Sequence, residues 1–309
     1  MTTTATPAPP AVRRGGASDR ARSEQRLAWY LCAPAFVLML VVTAYPMIQA
    51  VWLSLQSYRI TDPESREFVW FQNYAVVLSD GLWWRDVAVT VLITIITVVV
   101  ELIIGFALAM VMHRIIFGRG AVRTSILVPY GIITVVSAFA WQFAFAPDSG
   151  FINTLFGLEN YDFFAQFGSS IAVICMSEIW KTTPFMSLLL LAGLAQVPEE
   201  LQEAAKVDGA TPWQRLWKVT IPNMKAAIMV ALLFRTLDAY RIFDNVFIMT
   251  SGAQGTETVS FLAYRQMISR TAVGLGSAVS VLLFLTVVLI AVVFIKLFKV
   301  DLGRVRGDG

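Results

Sequence analysis

The chain has 309 residues, of which 57% are hydrophobic and 15% charged, against about 45–50% apolar and 25% charged in average soluble domains. That balance excludes an ordinary soluble globule and points to a membrane protein, while a net charge of +3 makes no case for nucleic acid. Cys32 and Cys175 both lie inside apolar runs, so neither a disulfide framework nor a zinc cluster is expected.

Residues 1–26 are rich in Thr, Ala, Pro, Gly and Arg with almost no large apolar side chains, so they are expected to form a disordered tail. The apolar run from Leu27 to about Leu55 is roughly twice the length of a signal-peptide core and lacks a clear small-residue cleavage site. It is expected to remain as a membrane anchor. Runs long enough to cross about 30 Å of hydrocarbon occur near residues 27–55, 87–112, 124–145, 169–195, 224–249 and 274–298, which predicts six spans. Several exceed the need, so tilts or kinks are expected.

Positive residues accumulate on the cytoplasmic side of a membrane protein. Sixteen fall in the tail (Arg13, Arg14, Arg20, Arg22, Arg26), the 113–123 loop (Arg114, Arg119, Arg123), the 196–225 loop (Lys206, Arg215, Lys218, Lys225) and the C-terminus (Lys296, Lys299, Arg304, Arg306). The alternate loops hold only Arg59, Arg66, Arg85, Arg265 and Arg270. Both termini are therefore expected in the cytoplasm.

The second span carries Glu101 and ends at His113, the only histidine, so no multi-histidine metal site or Ser–His–Asp set is available. The fourth reads Trp180-Lys181-Thr182-Thr183-Pro184-Phe185 behind Glu178. Pro184 removes a backbone donor and can turn a carbonyl toward a cavity, while Trp180 and Phe185 offer the apolar faces that sugar rings pack against. The same residues equally suit helix packing.

Between spans four and five, Val197 to Pro222 predicts two short cytoplasmic helices. Pro198, Glu199 and Glu200 suit a helix start and Gly209 a helix end; Thr211, Pro212 and Gln214 resemble a capping box that opens the second helix. Leu201, Ala204, Ala205 and Asp208 share one face, small enough for another backbone to approach. Trp213, Leu216 and Trp217 suit a membrane interface. On pattern alone, an amphipathic connector without a partner fits as well.

Span five places Arg235, Asp238, Arg241 and Asp244 at successive i, i+3 steps. At about 2.5–3.5 kcal/mol per central charge, such a ladder must face protein or water. It serves either packing, joined by Glu101 or Glu178, or a solute pathway, in which Asn245 would share. Gly274, Gly276 and Ala278 open span six and favour close helix approach.

Glu203-Ala204-Ala205, then Gly209, Val219 and Ile221-Pro222 resemble the EAA signature of bacterial ATP-binding-cassette (ABC) importer permeases, which has isoleucine and leucine at the positions of Val219 and Ile221. Phe71-Gln72-Asn73-Tyr74, and Phe243-Asp244-Asn245 followed by Thr250-Ser251-Gly252, resemble the sugar-permease branch. Val128 to Val136, Trp180 to Leu194 and Phe234 to Asn245 are similar to permeases of trehalose-recycling importers. The tail before Arg26 and the loop from Ala146 to Phe167 add little.

The resemblance implies an all-α integral membrane fold, the type I ABC importer transmembrane fold, with six transmembrane helices over 27–300, a coupling loop at 197–222 and a cytoplasmic tail at 301–309. It implies substrate contacts from Trp180, Lys181, Arg235, Asp238, Arg241, Asp244 and Asn245. ATPase coupling would fall to Glu203, Ala204, Ala205, Asp208 and Gly209. Implied partners are a second homologous permease, a dimer of nucleotide-binding ATPase subunits, an extracytoplasmic sugar-binding protein or lipoprotein, and membrane lipids. No GxxxxGK[ST] phosphate loop occurs in the sequence, so this chain is expected to bind no cofactor and to leave ATP and Mg to the partner ATPase. Trehalose is the implied solute. Competing readings are a permease for maltooligosaccharide or glycerol phosphate, an ion-coupled secondary transporter or channel built on the Arg–Asp ladder, and an intramembrane enzyme, for which no convergent catalytic set is present.

Overall fold

A computed structural model describes residues 19–115, 117–158 and 161–298; the expectations for residues 1–18 and 299–309 lie outside them. The chain divides into two compact units, residues 1–50 and 51–309, described separately here.

Among the described residues of the first unit, 19–50, the chain is one helix, the start of α1 (Asp19–Ser54), which runs through Pro34 and Pro46. It begins before the expected span, so residues 19–26, predicted to lack structure, are helical. Leu27, Trp29, Tyr30 and the apolar side chains from Phe36 to Val42 are exposed.

The second unit opens with the end of α1 and a hairpin, β1 (Gln56–Arg59) and β2 (Asp62–Phe68), paired antiparallel with a bulge. This hairpin was not expected from the sequence. Then come α2 (Gln72–Ser79), α3 (Gly81–Arg114), α4 (Arg119–Gly131), α5 (Thr134–Ala144), α6 (Phe151–Phe156) and α7 (Phe167–Leu194). The second half comprises α8 (Glu199–Val207), α9 (Pro212–Arg215), a π turn, α10 (Ile221–Asn223), α11 (Lys225–Ala239), α12 (Asp244–Met249), α13 (Val259–Tyr264), a second π turn and α14 (Val273–Phe298).

Two predicted spans are broken. The 124–145 run is two helices, α4 and α5, bent by 87°; the helix stops at Gly131 and restarts at Thr134. The 224–249 run stops at Ala239 and restarts at Asp244. The Ile242 carbonyl freed at that break accepts a bond from Thr258 Oγ1 at 3.2 Å, the kind of partner a backbone group needs in low-dielectric surroundings. Among the described residues three helices are long and apolar enough to cross a membrane, or four if the bent pair is one span. α7 carries Glu178 and Lys181 within its apolar run, and α11 with 15 residues and α12 with 6 are each too short alone.

α3 is the central element and contributes to all three apolar clusters. Its partner along most of its length is α7. Within a bilayer, helices gain little from hydrophobic transfer and associate through close packing and small residues. Gly105 of α3 lies so near α7 that a Cβ there would come within 2.9 Å of Met186 Cγ. Gly193 of α7 serves the same purpose against Ala227 of α11, whose Cβ would be 2.4 Å away. Buried hydroxyls on α3 are satisfied within the helix: Thr90, Thr94 and Thr97 donate to the carbonyls of Asp86, Thr90 and Ile93 at 2.6, 2.7 and 2.9 Å, the back-bonding that lets threonine sit inside a helix.

The hairpin is fastened to the bundle by Asn73, whose Nδ2 donates to the Ser54 and Gln56 carbonyls at 2.8 and 2.9 Å. Gly274 of α14 packs against the same Gln56 carbonyl. Near the start of α3, buried Asp86 lies 3.7 Å from Arg85. In the segment between α12 and α13, buried Glu257 pairs with Arg265 at 2.8 Å, and its burial pushes the carboxyl above the usual glutamate range.

Candidate functional site

Four helices converge on Arg235. Its side chain is 0% exposed. Its Nε and Nη2 donate to Glu101 of α3, the latter at 2.9 Å. Nη2 also donates to Glu178 of α7 at 2.8 Å, and Nη1 to Asp238 at 2.8 Å. Thr182 Oγ1 donates to Glu101 Oε1 at 2.7 Å and Asn245 Nδ2 to Glu178 Oε2 at 2.7 Å. A guanidinium presents its donors in a planar fork, and three carboxylates meet three edges of this one. Buried charges persist only when paired and hydrogen-bonded, so the packing of α3, α7, α11 and α12 is tied to these contacts.

Beside the network is a cavity of about 430 Å³ lined by Tyr130, Thr134, Glu178, Lys181, Thr182, Asp238, Arg241, Ile242, Phe243, Asp244 and Asn245. It falls within the range of about 300–1,000 Å³ usual for small-molecule sites. The bend between α4 and α5 places Tyr130 and Thr134 on its wall. The break after α11 brings Ile242 to Asn245 onto it. Lys181 Nζ lies 5.7 Å from the centre of the Tyr130 ring, a cation–π distance, and Tyr130 stacks on Phe185 at 5.5 Å.

Five of the seven sequence-predicted contacts therefore share this wall: Lys181, Asp238, Arg241, Asp244 and Asn245. Arg235 sits behind it as a clamp. Trp180 is elsewhere, because helical neighbours point about 100° apart: Glu178, Lys181 and Thr182 share the cavity face. Trp180, with Met176, Ile179, Thr183 and Pro184, lines an apolar groove and tilts against Trp141 at 6.1 Å. The expected Arg–Asp ladder exists only at its first rung. Beyond Ala239 the helix ends, and Arg241 is exposed with its Nε on the Leu237 carbonyl at 3.2 Å. Tyr130, Thr134 and Glu178 were not among the predicted contacts. A charged residue within a span is the usual sign of function, and it marked Glu178; Tyr130 and Thr134 carried no such sign.

In the loop between α7 and α11, α8 ends with Ala210 N–H bonded to the Ala205 carbonyl at 2.9 Å and Gly209 N–H to the Lys206 carbonyl at 3.1 Å. This is a Schellman closure, and Gly209 takes φ +79°. α9 opens with the reciprocal Thr211–Gln214 capping box. Gln202 Nε2 donates to Thr220 Oγ1 at 2.9 Å, which holds α8 against the π turn. Glu203, Ala204, Asp208 and Gly209 are exposed and Ala205 is half-buried. Trp213 and Trp217, edge to face at 5.7 Å, are exposed as well.

A membrane-embedded helical bundle with a polar cavity at two broken spans, and two capped helices on a loop outside it, is the architecture of an importer permease. The chain belongs to the family of binding-protein-dependent transport system inner membrane components, whose profile matches residues 30–299. It is 51% identical over 276 residues, 89% of this chain and 90% of the relative, to the trehalose transport system permease protein SugA of Mycobacterium tuberculosis. It is 34% identical over 290 residues, 92% of this chain and 96% of the relative, to the trehalose/maltose transport system permease protein MalF of Thermococcus litoralis. Among solved structures, a chain of a bacterial ABC transporter involved in the import of the acidic polysaccharide alginate shares the fold with a TM-score of 0.78. The match covers 92% of this chain and all of that one, at 20% identity.

Proposed function

We propose that this permease carries a neutral disaccharide, trehalose, through the cavity beside Arg235. The observation that carries the reading is the cavity's charge. Lys181 and Arg241 on its wall, with Arg235 behind, stand against Glu178, Asp238 and Asp244 on the wall and Glu101 behind. Three cations facing four carboxylates leave little net field for an anion and many fixed donors and acceptors for hydroxyls. The identity to permeases whose own names specify trehalose supports the same solute.

The proposal extends to the partners, with the exposed loop and the family in support. The exposed face of α8 docks on one subunit of a nucleotide-binding ATPase dimer, where ATP and Mg are bound and hydrolysed. A second homologous permease completes the membrane portion, and an extracytoplasmic sugar-binding protein or lipoprotein delivers the solute. Both termini lie in the cytoplasm, in keeping with the distribution of arginine and lysine. Solute movement is then alternation between two arrangements whose balance nucleotide and loaded receptor both bias.

The test is uptake of labelled trehalose by a deletion strain carrying the complete importer, in competition with a panel of unlabelled sugars. Unlabelled trehalose is expected to compete best. Stronger competition by maltooligosaccharides or glycerol phosphate would reassign the solute.

A further inference from the structure

Thr258 stands at the N-cap of α13 in extended backbone, φ −110° and ψ 163°, yet its side chain makes no cap bond. A threonine at that position ordinarily accepts from a backbone N–H in the first turn of its own helix. Its hydroxyl instead donates to the Ile242 carbonyl, 16 positions back, at 3.2 Å. The first N–H of α13 is met from another helix: Val259 N–H donates to Thr90 Oγ1 of α3 at 3.1 Å. The Thr90 hydroxyl sends its own proton to the Asp86 carbonyl at 2.6 Å. Thr90, Thr258 and Val259 are all fully buried.

The Ile242 carbonyl marks the break in span five. In an unbroken helix it would accept from the Val246 N–H. The ladder instead resumes with Phe247 N–H on the Phe243 carbonyl at 2.9 Å, and Phe243 has left helical backbone at φ −137° and ψ −58°. Through this break Ile242, Phe243, Asp244 and Asn245 come to line the cavity.

We infer that Thr258 is a positioning residue for transport: it holds the Ile242 carbonyl out of the helical ladder and so fixes the stretch of span five that forms one wall of the solute cavity. Thr90 acts one step further back, by tying the start of α13 to α3. Neither threonine is among the residues that line the cavity, so both act through the backbone and not by touching solute. Without a hydroxyl at 258 the buried carbonyl stays unpaired, which costs free energy, or turns back to Val246 and draws the wall with it. This role rests on the cavity being the solute site.

The test uses the complete importer, reconstituted in liposomes with ATP and trehalose-loaded binding protein, and reads labelled trehalose taken up per ATP hydrolysed. Thr258→Val keeps the shape and removes the hydroxyl; Thr258→Ser keeps the hydroxyl and removes the methyl. Thr258→Val is expected to lose about tenfold or more in sugar per ATP, with loaded binding protein half-saturating at its wild-type concentration, and Thr258→Ser to stay within about threefold of wild type. Thr90→Val, which strips the Val259 N–H of its acceptor, is expected to fall between them. Thermal unfolding midpoints of the same preparations report folding separately. A threonine needed only for packing would lower the midpoint and the amount of active importer and leave sugar per ATP unchanged. Thr258→Val at the wild-type ratio, or Thr258→Ser losing as much as Thr258→Val, would overturn the inference while leaving the sugar assignment intact. Should Thr258→Val not assemble, Thr90→Val decides, and a wild-type ratio there would overturn it. A wild-type importer that hydrolyses ATP but takes up no trehalose would overturn the assignment and, with it, the role of Thr258.

Discussion

Glu101 on α3 and Arg235 on α11, 134 positions apart, meet in a two-pronged ion pair with both side chains fully buried. Removing the guanidinium strands the buried Glu101 and Glu178 together, while Asp238, whose side chain is 59% exposed, stays hydrated. Arg235→Met is therefore expected to lower stability by about 3–5 kcal/mol, the usual result of breaking a buried pair from one side. Glu101→Gln leaves Arg235 two other carboxylates and is expected to cost less. Thermal unfolding of the purified complex checks the order of the two effects, and equal midpoints would deny the network its part in holding the bundle.

At the end of α8, Gly209 sits at φ +79° with no atom within 4 Å of the place a Cβ would occupy. A substitution there is opposed by backbone conformation alone, at about 1–2 kcal/mol for an L-residue in the left-handed region. Gly209→Val is expected to loosen the Schellman closure and uncouple transport from ATP hydrolysis, with the membrane bundle still folded. The check is trehalose uptake alongside receptor-stimulated ATPase activity and the unfolding midpoint.

Steric limits act at Gly274, where a Cβ would fall 2.0 Å from the Gln56 carbonyl oxygen and 3.1 Å from the Tyr58 nitrogen. Gly274→Ala must push α14 away from the hairpin and is expected to cost about 1–3 kcal/mol. Gly131→Ala, at a position with open space around it, is the matched control. Yield and unfolding midpoint of the two variants, measured side by side, decide the point.

Glu257 has a pH signature of fixed sign. Burial raises its folded-state pKa, and the neighbouring Arg265 offsets only part of that. A carboxyl with a raised folded value contributes stability that is fully present below its unfolded pKa and is lost as pH rises through the folded one. The Glu257→Gln variant is expected to lose that part of the pH dependence and to gain relative to wild type at neutral pH. Unfolding midpoints from acid to neutral pH, compared between the two proteins, test it.

Much of this structure was legible in the chain. Long apolar runs located α3, α7 and α14, and Thr211, Gln214 and Gly209 placed the loop helices, because caps and stops are local chemistry. The broken spans were not legible. Ile132 and Ile133 are as apolar as their neighbours, so hydropathy runs straight through the turn. Nor does any local pattern pair Glu101 with Arg235 across 134 positions, a contact that only the tertiary fold creates. Trp180, read from the sequence as an apolar face for a sugar ring, adjoins Lys181, but the helix turns the two onto different surfaces. The hairpin lacks an Asn-Gly or Asp-Gly turn, the strongest short-range signal for one.

α7 runs unbroken through Pro184 from Phe167 to Leu194. Glu178 and Lys181 stand on the cavity wall, and after four intervening residues beyond Leu194 the chain enters α8 at Glu199. From Glu178 to Leu194 is about 24 Å of helix, with Met186 and Leu190 fully buried along it. A rod of that length, tilted by about 5°, displaces its far end by roughly 2 Å. The cavity wall and the entry to α8 thus stand at two ends of one helix, which packs on α3 at the seam where Gly105 meets Met186.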